Sequence, residues 1–261
     1  MGKLFWYLNR LQAMDLQEVC WRVQQRLLVK AEKRRFGKQR VRVDGEVWND
    51  ALRELGFDAG ALGINLDNAH YSTITEVHRL QGPDYGKWPD TFSYDLTYKQ
   101  RDDLGDARTC WEKHRHFRFA LLAKAAYVSG DSRLLAYLND EQDRWCEQHT
   151  FLHGIAWTSV MEVAIRAVNW MVTLAFCKDE KLAERLRTGV INMTDYLTRH
   201  YSRFSSANNH LLVEAAAIGL AGYAFGYRPW KELGMALLSK ELLNQNYDCL
   251  LYTSPSPRDY A

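Results

Sequence analysis

The chain has 261 residues, 47% hydrophobic and 25% charged, with a net charge of +2. These are the proportions of an ordinary soluble globular protein, and the net charge says nothing strong about partners. No run approaches the roughly 20 continuous apolar residues of a membrane span, so no transmembrane segment is expected.

The N-terminal stretch, residues 1–44, holds eleven Lys/Arg against four acids (Asp15, Glu18, Glu32, Asp44), a local net charge of +7. It reads as two basic helices over 3–36, with Asp15 as N-cap and Gly37 as stop. Such a face fits an anionic glycan, a membrane surface or nucleic acid, and fits equally a solvated helix face. Asn9, Arg10 and Gln12 interrupt Leu4–Leu11, so no signal-peptide core is legible and a cytoplasmic location is the expectation. Residues 45–105 begin with a short helix near 46–55. A long irregular region comes next, marked by Gly82-Pro83 and Trp88-Pro89. A loop of that length is uncommon unless it is functional or packs along a surface.

From Asp106 the pattern changes to helices at about 106–129, 132–148, 157–177, 180–203, 207–225 and 229–247, with period-2 alternation nearly absent. Gly130-Asp131 and Gly226-Tyr227 mark turns, and Asp131 and Asp179 are placed to cap the helices that begin at 132 and 180. Tight turns between successive helices predict antiparallel hairpins, in a bundle or an α/α toroid. Helix 157–177 is apolar nearly all round, yet Glu162, Arg166, Asn169 and Thr173 stand at i, i+4, i+7 and i+11, on one face. A helix apolar elsewhere is buried, so this stripe is either paired inside or lines a wet cleft. Helix 106–129 carries a similar stripe of Arg108, Glu112 and Arg115 beside Trp111. For Glu162 and Arg166 a structural ion pair and a cleft wall both fit. Trp111, Trp157 and Trp170 fit a core better than a sugar platform. His114, His116, His149 and His153 show no ligand spacing, and the cysteines form no CxxC, so neither metal nor cofactor is expected.

Ser205-Ser206-Ala207-Asn208-Asn209-His210-Leu211 resembles the Ser-Ser-x-Asn-Asn-His-Leu motif of heparinase II/III-like polysaccharide lyases. Trp157–Trp170 resembles the same family's second signature, and Asp106–Arg115, with Trp111, Glu112 and Arg115, its first helix. The three blocks stand in the family's order, and the resemblance covers roughly 87–248. It implies an all-α, incomplete α/α toroid over 106–248, followed in the family by a C-terminal β-sandwich. The implied activity is β-elimination on an acidic, uronic-acid polysaccharide, with no nucleic-acid partner.

Taking the C5 proton of a uronate puts charge beside a carboxylate that is already anionic, so preorganised donors must neutralise it. Asn209 and His210 match the family's neutralising pair. Arg115, Glu162, Arg166, Asn169 and Glu214 are the substrate-binding candidates, and Glu214, one turn after His210, is a candidate to orient that ring. The family's catalytic Tyr lies downstream. Cys249–Asp259 reads CLLYTSPSPRD, the translation of a transposase library adapter, so 249–261 is expected to be foreign and the chain an inactive fragment. A non-catalytic glycan-binding toroid is the alternative. A glycoside hydrolase ranks last, because Glu112, Glu162 and Glu214 each have a basic residue nearby to oppose a raised pKa. The absent leader points to unsignalled relatives encoded with bacterial surface-polysaccharide genes. The glycan and the oligomeric state are not legible.

Overall fold

The computed structural model describes residues 14–64, 84–99, 101, 103–204 and 208–245. The first predicted helix, in part, and the whole of 249–261 lie outside them. The chain divides into two compact units, Met1–Arg40 and Val41–Ala261. The first contains helix α1 (Leu16–Phe36), whose N-cap is the expected Asp15: its Oδ1 accepts from the Glu18 amide at 2.6 Å. Gly37 ends the helix, though with a right-handed φ of −62°.

The second unit carries seven helices among the described residues: α2 (Ala107–His114), α3 (Phe117–Ser129), α4 (Ser132–Gln148), α5 (Val160–Phe176), α6 (Glu180–His200), α7 (Asn208–Ala224) and α8 (Arg228–Gln245). No strand occurs among these residues, only one bridge between Phe92 and His153, and the fold is all-α. Successive helices pack as hairpins: α3 on α4, α5 on α6, α7 on α8, with α5 also against α3 and α7. Asp131 and Asp179 cap α4 and α6 as expected, and Gly130 and Gly226 take the left-handed turns. No helix among the described residues is long and apolar enough to cross a membrane.

Two expectations fail locally. The short helix at 46–55 is only a 3-10 turn, Asp50–Leu52, capped by Asn49. Its chain is held instead by side chains: Asn192 of α6 donates to the carbonyls of Val43 and Glu46 and accepts from the Trp48 amide. Asp44, fully buried, meets Arg42, Arg185 and Gln142. Residues 41–48 therefore run along the helices, ahead of the long irregular region expected after residue 55, of which 65–83 lie outside the described residues.

The predicted helix 106–129 is broken in two at Arg115–His116. His116 sits at φ 60°, in the left-handed region, which costs a residue with a Cβ about 1 kcal/mol or more. The break persists because the freed carbonyls are taken up from α5: Arg166 Nη1 donates to His114 O at 3.1 Å and Asn169 Nδ2 to Arg115 O at 2.9 Å. The core beneath is aromatic, with Phe119, Trp145, Phe151, Trp157, Trp170 and Tyr196 at most 1% exposed. Trp157 and Trp170 are thus core residues, as their apolar neighbours imply. Gly189 of α6 makes room for Trp170, since a Cβ there would stand 2.3 Å from its Cζ3.

Candidate functional site

A cavity of about 600 Å³ opens where α2, the start of α5 and the start of α7 meet. From α2 and its end come Arg108, Trp111, Glu112 and Arg115. The entry to α5 adds Thr158, Ser159, Val160, Met161 and Glu162; His210 and Glu214 come from α7, with Tyr98 and Ser202 from flanking connections.

Arg115 and Glu162 form the fixed part of the wall. Nε donates to Oε2 at 2.6 Å and Nη2 to Oε1 at 2.9 Å, the two-bond fork that Arg makes best with a carboxylate. Glu162 pushes the Arg115 pKa up. Glu112 lies 3.9 Å from the same guanidinium. Trp111 is half-buried and packs against the cluster of Leu96, Ala107, Cys110 and Ile155; its Nε1 donates to Ile155 O and Thr158 Oγ1.

Glu214 corrects one sequence expectation. It is fully buried and its hydrogen bonds go to Ser202, Oε2 accepting from the amide at 2.5 Å and Oε1 from the hydroxyl at 3.0 Å. Burial outweighs these bonds and pushes its pKa up to about 7. A basic neighbour does not hold it ionised. Its bonds brace residue 202, just ahead of the Ser-Ser-x-Asn-Asn-His motif, rather than the His210 ring.

The α5 stripe divides in function. Glu162 reaches the cavity, whereas Arg166 and Asn169 are not among its lining residues. Arg166 is fully buried, its guanidinium between the rings of Trp145 and Trp157 at 4.8 and 5.0 Å, with its Nη atoms on His114 O and Ala156 O. Burial brings its pKa down to about 10. Asn169 serves Arg115 O and Ile165 O. Both support the wall from behind. Asn209 and His210 are exposed on the first turn of α7, and His210 lines the cavity while Asn209 does not. Ser205–Ala207 fall outside the described residues.

Sequence reasoning missed Tyr98, Thr158, Ser159 and Ser202 as wall residues. Tyr98 sits in an irregular segment with no period to read, packed edge-on against Trp111. Ser202 becomes visible only through its bond to Glu214. Among the described residues no group of three or more His, Cys, Asp or Glu could hold a metal.

No family profile matches this sequence, and no curated protein is detectably similar to it. Among solved structures, the chain is similar to the Heparinase III-BT4657 gene product (19% identity, TM-score 0.47) and to its form with methylated lysines (20%, 0.46). The matches cover 85% and 89% of this chain but 35% and 39% of the solved proteins, so the chain spans little more than a third of their length.

Proposed function

We propose that this chain is the helical portion of a polysaccharide lyase, an incomplete α/α toroid, that binds an acidic glycan in the 600 Å³ cavity. One observation carries the reading. Three sequence blocks that resemble one lyase family, 106–115, 157–170 and 205–211, each send residues to a single cavity: Arg115, Glu162 and His210.

In this reading His210 faces a uronate carboxylate as a donor, lowering the cost of the charge that builds when C5 loses its proton, while Asn209, exposed beside it on the first turn of α7 but outside the lining, meets the carboxylate only where the glycan extends past the cavity. Arg108 and Trp111 offer a cation and an apolar ring for the sugar chain. Arg115, already committed to Glu162, shapes the wall. Tyr98 brings a phenol to the cavity, the residue type that gives or takes a proton in such eliminations.

The test is to incubate the protein, and its full-length gene product, with uronic-acid polymers and to record the ultraviolet absorbance of an unsaturated uronate. Absorbance that grows with the full-length protein and is lost in His210→Ala supports the reading. Glycan binding without bond cleavage by the full-length protein replaces it with a non-catalytic binding toroid.

Glu214 favours one second reading. A carboxyl with a pKa pushed up to about 7 has the property of a glycosidase general acid, with Glu162 or Glu112 as the other carboxylate. New reducing ends without unsaturation, abolished by Glu214→Gln, are the outcome that selects hydrolysis.

A further inference from the structure

The break between α2 and α3 presents three consecutive side chains to different surroundings. Arg115 points to the cavity wall, and the residues on either side of it, His114 and His116, turn into the core at 0% and 3% exposure. Each buried ring accepts a hydrogen bond from a tryptophan: Trp145 Nε1 donates to His114 Nδ1 at 2.9 Å, and Trp170 Nε1 to His116 Nδ1 at 2.8 Å.

That pattern fixes the chemistry of both rings. An imidazole that accepts at Nδ1 is neutral and carries its proton on Nε2, because the imidazolium has donors at both nitrogens. The same tautomer argues against metal binding at Nε2. Among the described residues no hydrogen-bond acceptor meets either Nε2 atom, so a second proton would find no compensating carboxylate.

We propose that His114, His116, Trp145 and Trp170 are positioning residues, a neutral-histidine lock that holds Arg115 in register with Glu162, and that protonation of either ring releases Arg115. The backbone of the same turn is fixed by Arg166 on His114 O and Asn169 on Arg115 O. Five side chains of α4 and α5 therefore bear on residues 114–116, counting Glu162 on Arg115 itself. Protonating a ring reverses the Trp bond from attractive to repulsive and puts a second positive charge near buried Arg166. The remaining groups around the rings are Tyr85, Lys113 and His149, with Arg118 and Glu141 acting on Tyr85. Lys113 and Arg118 are cations at neutral pH, the carboxyl of Glu141 is taken up by Arg118 at 2.7 Å, and His149 is a third histidine, so the surroundings oppose added charge. Burial and these neighbours together hold both histidines well below their ordinary pKa. The left-handed φ of His116 adds strain that intact bonds must hold in place. Only the consequence for glycan binding rests on the proposed function; the lock itself is a property of the turn.

The experiment is nitrogen-detected NMR of the histidine rings and of the Arg115 Nε–H in the full chain, recorded from pH 8 downward. Both rings are expected as Nε2–H tautomers, still neutral at pH 6.5, where an ordinary histidine is half protonated. The Arg115 Nε–H is expected to be protected from exchange and to lose protection in the same step in which a ring takes up its proton. Trp170→Phe removes one donor and frees His116 Nδ1, and is expected to raise that step by about one pH unit, tenfold in proton affinity. An Nδ1–H tautomer, half-protonation near pH 6.5, or Arg115 exchange that ignores the histidine step overturns the proposal. These readouts come from the unmodified protein as well, so a variant that does not fold leaves them decisive. Failure to cleave any glycan would sink the lyase reading and leave them untouched.

Discussion

Arg115 and Glu162 meet across 47 residues of sequence through two short bonds, with Glu162 2% exposed at its side chain and Arg115 24%. The pair is unequal. Glu162 depends on Arg115, while Arg115 has Glu112 and solvent in reserve.

That asymmetry makes a prediction. Arg115→Ala strands a buried carboxylate and is expected to cost about 3 kcal/mol, the range for breaking a buried pair. Glu162→Ala leaves a partly exposed cation with Glu112 nearby and is expected to cost about half as much. The double variant should be more stable than Arg115→Ala alone. Urea unfolding of the three proteins checks the order, and equal losses for both single variants would show that the pair is effectively solvent-exposed.

Periodicity made part of this site legible in the sequence and left the rest dark. The stripe Glu162, Arg166, Asn169 and Thr173 put four polar groups on one face, and all four are buried there. Spacing alone did not say that the helix start opens to a cavity while the next turns face the core, because that depends on where α2 ends. The break at Arg115–His116 has no Gly or Pro to announce it. It is imposed by Arg166, Asn169, Trp145 and Trp170 from α4 and α5. The hairpins and caps were readable because Gly130, Asp131, Asp179 and Gly226 act locally. Tyr98 and Ser202 were not readable, since only long-range contacts give them a role.

Gly189→Ala is expected to destabilise the second unit by about 2 kcal/mol, as for an overpacked core. The added Cβ would stand 2.3 and 2.9 Å from two atoms of the Trp170 ring, and that ring cannot shift without disturbing its bond to His116. The same clash should perturb His116. A thermal melt tests the first point, and a Tm equal to the parent's would mean that Trp170 has room to move.

Acid should unfold this protein early. His114 and His116 are held well below the ordinary value of 6.5, and His149 is brought down to about 4, burial being the largest cause for each. Below pH 6.5 the unfolded chain takes up protons that the folded state refuses. The stability these neutral rings contribute is therefore complete above pH 6.5 and is lost as pH falls beneath it. Three such groups give a limiting slope of about 4 kcal/mol per pH unit. A denaturant midpoint that stays flat from pH 7 to pH 5 would contradict the neutral cluster.

Glu214 works in the opposite direction over an overlapping window, and the sign of its effect separates it from the histidines. Its pKa rises from 4.5 to about 7 on folding because burial outweighs its bonds to Ser202. Between those values the folded state holds a proton that the unfolded chain has released. Stability from this group is full below pH 4.5, declines as pH rises, and is gone above about pH 7. The whole change is about 3 kcal/mol. In Glu214→Gln this contribution vanishes, so the variant should lose stability on acidification more steeply than the parent between pH 7 and 4.5. The difference between the two stability curves should climb by that amount across the window and be level on either side. A flat difference would mean that Glu214 stays ionised in the fold, and would remove the one observation that favours hydrolysis over elimination.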